Sequence, residues 1–164
     1  MKDRIKFNDA MLAAVMDGTK TQARRPIDPQ PKVTEDELRK LGAWQEGYSL
    51  SEQVCVAWRH GFIDVDCPYG EVGDIINVAD KDGNIKGKIE ITDVWIQKAQ
   101  EISQQDAMKE GAPPSHPSID VVSRELCLPD FSRSWFAQVW MDIYGEESWN
   151  VNPWVWVIEF KKVN

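Results

Sequence analysis

Residues 152 to 163 read NPWVWVIEFKKV, and the placing of apolar side chains within them decides the fold. Successive side chains of an extended chain point to opposite sides, so Trp154, Trp156, Ile158 and Phe160 share one face while Val155 and Val157 share the other. Both faces are apolar. A strand of this kind is buried between layers or covered by a helix. The segment just before it offers such a cover: in DFSRSWFAQVWMDIYG, residues 130 to 145, Phe131, Trp135, Phe136, Val139, Trp140 and Ile143 form one broad helical stripe that Gly145 stops.

Further toward the N-terminus, NIKGKIEITDVWIQKA (84 to 99) predicts a long strand, with Ile89, Ile91 and Asp93 on one face and Glu90, Thr92 and Val94 on the other. It follows an Asp82-Gly83 turn and a strand over Ile75 to Val78. Ser103 caps a short helix, QQDAMKEG, that Gly111 closes. The proline-rich residues 112 to 130 read as a long loop. QVCVAWRHGFIDVD (53 to 66) alternates on both sides of His60-Gly61 and predicts a hairpin, and Thr34 with Glu37 has capping-box spacing for a helix through about Lys40. At the start, IKF (5 to 7) reads as a strand, after which Asn8 caps a helix carrying Met11, Leu12, Val15 and Met16 that ends at Gly18. That order of elements predicts an α+β domain around a small sheet or barrel.

The chain has 164 residues, 42% of them hydrophobic, which suits one domain with a real core. Most of its eight tryptophans are expected there. A net charge of −8 repels nucleic acid overall, so any phosphate contact has to be a local patch. No segment has the pattern of a signal peptide or a membrane span, and a cytoplasmic protein is expected. Cys55, Cys67 and Cys127 lack CxxC spacing and read as reduced, buried thiols; a zinc site on Cys55, His60 and Cys67 lacks a fourth ligand. No metal and no cofactor is expected, because there is neither a phosphate loop nor a dinucleotide fingerprint. His60 and His116 read as solvated, in a turn and in the proline-rich loop.

Against this acidic background, MDGTKTQARRPIDP (16 to 29) gathers Lys20, Arg24 and Arg25 just past a helix end, where exposed carbonyls favour cations. One reading is a solvated cluster paired with some of the 27 acidic residues. The other is a cleft in which desolvation and like charge lower the Lys20 pKa until it can act as a base. Glu110, near a helix C-terminus, fits the macrodipole poorly, and is either exposed and idle or held by a cation.

Four stretches taken together resemble the ASCH domain, in the form carried by many phage and prophage proteins: GTKTQARR (18 to 25), CPYGEVGD (67 to 74), ITDVWIQKAQEISQQDAMKEG (91 to 111) and IYGEESWNVNPWVWVIEFKKV (143 to 163). The resemblance runs nearly end to end as a single domain, with insertions at about 28 to 66 and 112 to 128. It implies a PUA-like α+β fold, a small bent β-barrel with flanking helices and a cleft beside the first helix. It also implies dealings with RNA and its nucleosides: binding, hydrolysis of the acetyl amide of N4-acetylcytidine in one small bacterial branch, and ribonuclease activity in another. The amidohydrolase branch uses a lysine, a threonine nucleophile three residues on, and a glutamate from the short helix. Those positions hold Lys20, Ala23 and Glu110 here, and a family arginine matches Arg25.

Alanine has no oxygen with which to attack, and Thr21, two residues away along an extended chain, lies about 6.5 to 7 Å from that position. Relatives also carry a tryptophan and an arginine-glutamate pair where this chain has INVADKDG (76 to 83). The expectation is therefore binding rather than hydrolysis. A cleft lined by Lys20, Thr21, Arg24, Arg25 and Glu110, with Tyr69 and Trp149 as stacking platforms, takes a nucleotide or a single-stranded or modified RNA element. The rival readings are a hydrolase in which Lys20 and Glu110 activate water, and an acidic factor that engages a host or phage protein.

Overall fold

Strand β5, Trp154–Val163, lies inside a five-stranded mixed sheet in the computed structural model, which describes residues 4–31, 35–40, 42, 47–61, 63, 65–112 and 131–163. The elements precede it in the order β1 (Arg4–Lys6), α1 (Asp9–Asp17), β2 (Gln22–Pro26), α2 (Glu35–Lys40), α3 (Leu50–Arg59), β3 (Ile75–Ala79), β4 (Ile85–Lys98), a 3-10 turn (Ala99–Glu101), α4 (Gln104–Lys109), α5 (Phe131–Tyr144) and α6 (Glu146–Asn150). The sheet order is β1-β3-β4-β5-β2; β1 runs parallel to β3, and the other neighbours are antiparallel.

The two faces of β5 feed two cores. Trp154, Trp156, Ile158 and Phe160 pack with Val15 of α1 and with Val54 and Ala57 of α3, while Val155 and Val157 pack with Phe136 and Trp140 of α5 and Trp149 of α6. The α+β class expected from the sequence is the class found. Backbone pairing does not close the sheet into a barrel among the described residues: β1 and β2 are its edges. A side chain spans the seam instead, as Arg25 Nη2 of β2 donates to the Lys6 carbonyl of β1 at 2.8 Å.

Several local expectations need correction. The hairpin read into residues 53 to 66 is helix α3 over its first part. Ser49 Oγ accepts from the Glu52 N–H at 3.2 Å and Glu52 Oε1 accepts from the Ser49 N–H at 3.0 Å, a capping box that starts a helix. Leu50, Val54, Ala57 and Trp58 then turn toward the sheet at helical spacing, and Trp58 meets Trp156 edge-on at 5.1 Å. In β4 the register shifts between Ile91 and Asp93, so a β-bulge moves Val94 and Ile96 onto the face of Ile89 and Ile91. Trp149, read as a loop residue, belongs to helix α6. The cap expected at Thr34, the loop over 113 to 130, His116 and Cys127 lie outside the described residues. No helix of the described residues is long and apolar enough to cross a membrane.

Candidate functional site

Lys20 follows the left-handed Gly18 that ends α1, and backbone bonds fix where its side chain starts. Its N–H donates to Ala14 O at 3.1 Å, the Thr21 N–H donates to Lys109 O at 2.7 Å, and Thr21 O accepts from Phe160 N at 2.9 Å. The chain between α1 and β2 is thereby stitched to the C-terminus of α4 and to β5. Gly111, with φ of 114°, turns the backbone out of α4 beside Lys20 in a conformation that side chains disfavour.

From this anchorage Lys20 reaches Glu110. Its Nζ donates to Glu110 Oε1 at 2.7 Å and to the Glu110 carbonyl at 2.9 Å, so one ammonium caps the end of α4 and neutralises the carboxylate that fits the helix dipole poorly. Arg24 holds the second carboxylate oxygen, with Nη1 donating to Glu110 Oε2 at 2.9 Å and to Gln22 Oε1 at 2.9 Å. Its Nη2 meets Gln97 Oε1 at 3.2 Å and Asp106 Oδ2 at 3.5 Å. Gln22 passes the network on to Asp106 at 3.1 Å and Glu159 at 2.7 Å. Lys20, Arg24 and Glu110 are only 3%, 2% and 4% exposed. Burial pushes the Lys20 pKa below its ordinary 10.5; Glu110 opposes the shift, and Arg25 and Arg24 add to it. One polar atom is left over: Arg24 Nε is buried with no partner.

These residues form the polar wall of a cleft of about 230 Å³. Phe7 and Asn8, from the entry to α1, and Arg25 complete that side, and Phe136, Trp140 and Tyr144 of α5 form the other. Tyr144, 38% exposed at the rim, packs against the Trp140 ring at 4.5 Å. Arg25 is half-buried: Nη1 donates to Arg24 O at 3.1 Å, Nη2 to Lys6 O at 2.8 Å, and its guanidinium lies 5.1 Å from the Phe7 ring.

The structure thus brings Lys20, Arg24, Arg25 and Glu110 together and leaves three other candidates outside. Thr21 contributes backbone bonds but does not line the cleft. Tyr69 lies half-buried against the main core, where burial pushes its hydroxyl pKa up and the charge of Arg25 pulls it down. Trp149 is 6% exposed with its ring against Phe136 at 6.2 Å, so it is core and not a stacking platform. Ala23 is fully buried in the main core, because alternation along β2 turns it away from Arg24. A hydroxyl restored there would enter the core rather than the cleft.

Gln22, Gln97, Asp106, Glu159 and the aromatic wall went unrecognised in the sequence. Gln97 reaches Arg24 only because the bulge in β4 reverses the faces beyond Ile91. The apolar stripe of α5 is legible in the sequence, but its period does not tell core from cleft wall. Cys55 and Cys67 are both buried, and no group of three or more His, Cys, Asp or Glu suited to a metal occurs among the described residues.

No family model matches the chain, and no curated protein does. Solved structures do. Protein EF3133 from Enterococcus faecalis V583, a DUF984 protein, aligns over 99% of this chain and 77% of its own with a TM-score of 0.52 at 13% identity. The two proteins share a fold. An ASCH domain from Lactobacillus crispatus JV V101 aligns over 94% of this chain and 70% of its own, at 16% identity and a TM-score of 0.49. Protein PF0455 from Pyrococcus furiosus covers 100% and 99%, at 12% identity and a TM-score of 0.43. Identities this low speak to fold alone.

Proposed function

We propose that the cleft binds one base of a nucleotide, or of a single-stranded or modified RNA, and does not cut it. The observation that carries this reading is the pairing of a cationic wall, Lys20, Arg24 and Arg25, with an aromatic wall ending in the exposed Tyr144. A base has a π-face for the second and polar edges for the first. At about 230 Å³ the cleft falls below the ~300–1,000 Å³ that holds drug-sized ligands, which suits a single base with sugar and phosphate at the mouth. Hydrolysis is disfavoured because the lining contains no serine, threonine or cysteine among the described residues, and both Glu110 oxygens already hold cations.

The test is titration of short labelled single-stranded RNAs at several salt concentrations. Binding is expected to be weak, with log affinity falling against log salt at about −0.7 per phosphate neutralised and only one or two phosphates involved. Tyr144→Ala is expected to weaken it by about 1–3 kcal/mol, the worth of one stacked base. Binding that ignores Tyr144→Ala, or none at low salt, would turn the reading toward a protein partner.

A further inference from the structure

Arg25 brings a charge that its surroundings do not neutralise. The neighbouring cations of the motif, Lys20 and Arg24, share Glu110, whereas Arg25 donates only to two backbone carbonyls and makes no ion pair among the described residues. It stands where the cleft opens, near the entry to α1. There Asn8 accepts from the Met11 N–H, and both Asn8 and Met11 line the cleft. Deeper in, the Arg24 side chain is fully buried and already holds Glu110, so it offers no free charge. The cleft therefore asks for an anion at its mouth. Among the described residues that line the cleft, Glu110 is the only carboxylate, against four cationic side chains.

We infer that the cleft takes a nucleotide by a terminal phosphomonoester, with Arg25 on the phosphate. The ligand is a free mononucleotide or the phosphorylated end of an RNA, and the inference rests on the nucleotide reading above. The charge of the group decides between an end and an internal link. A phosphomonoester carries about −1.5 to −2 at pH 7, whereas an internal diester carries one negative charge. At a site offering one uncompensated guanidinium, the monoester is attracted more strongly and presents three oxygens to its fork of donors. An internal diester would also require chain to leave the small cleft in both directions, past the acidic remainder of a molecule of net charge −8.

Calorimetric titration of the intact chain tests this with the four ribonucleosides, their 5′- and 3′-monophosphates, and short ribooligonucleotides carrying either phosphate or hydroxyl at each end. A phosphorylated probe is expected to bind about tenfold or more tighter than its unphosphorylated counterpart, the worth of one charge-assisted contact. Arg25→Gln should reduce that preference to within about threefold, as loss of the charge-assisted contact requires. Inorganic phosphate should displace the phosphorylated probe from the wild type but not the nucleoside, a readout that needs no variant. A gain confined to mononucleotides identifies a small-molecule ligand, and one confined to oligonucleotides identifies an RNA end; both support the inference. Equal binding with and without phosphate overturns it and leaves nucleotide binding standing. Failure of every probe to bind overturns both readings.

Discussion

Glu110 is one carboxylate held between two buried cations, and removing its charge exposes what the arrangement costs. Two charges taken out of water are tolerated only while a counter-charge remains, so Glu110→Gln is expected to destabilise the fold by about 3–5 kcal/mol at neutral pH, measured by urea denaturation. The pH dependence has a definite sign. The folded pKa of Lys20 already lies below its unfolded value of 10.5, and without Glu110 it falls further. Between the folded and unfolded values the unfolded chain binds more protons, so stability rises with pH there. The variant enters that window at lower pH than the wild type, and the gap between them should narrow as pH rises. It should not close, because Arg24 stays charged. A gap independent of pH would mean that Lys20 is not the group left unpaired.

The elements that hold this cluster depend on local signals of unequal visibility. Asn8, Gly18 and Ser103 act as caps where the residue types indicate, since a cap involves residues only a few positions apart. The Ser49–Glu52 box obeys the same chemistry but was overlooked, because the alternation Val54, Val56, Trp58 that follows also fits a strand. Ser49→Ala is expected to cost about 1 kcal/mol, the usual worth of such a cap. A change of a few tenths or less in urea denaturation would show that α3 is held by its packing on β4 and β5 alone. The bulge in β4 has no comparable local mark. It exists because β5 pairs on both sides of Thr92 in different register, and it settles which side chains of residues 93 to 98 reach Arg24.

At the scale of the whole molecule, a net charge of −8 opposes polyanions. Lys109 is paired with Glu159, and Lys162 bonds the end of α1, so the cations around the cleft do not form an open track. Long duplex nucleic acid and heparin are therefore expected not to be retained on the immobilised protein even at low salt. Retention whose salt slope reports several neutralised phosphates, at about −0.9 each for duplex DNA, would place a cationic surface outside the cleft. The same scale explains how the sheet gains a cleft without closing. Its edge strands β1 and β2 are joined at their seam by the Arg25 side chain, which both completes the architecture and remains available at the mouth.

By itself the sequence determined the α+β class, the double-faced burial of β5, the apolar stripe of α5 and the ends of α1 and α4, all of which follow from residue period or from caps within a few positions. With the family resemblance it also pointed to Lys20, Arg25 and Glu110 as members of one site. Tertiary structure alone decided the rest. Gln22, Gln97 and Glu159 meet Arg24 or its partners through strand pairing and a bulge; Trp149 is withdrawn into the core by the turn of α6; and Ala23 is buried in the main core, on the face of β2 opposite Arg24. These outcomes depend on which distant strands lie side by side and in what register, and a shift of one residue exchanges every side chain between the two faces.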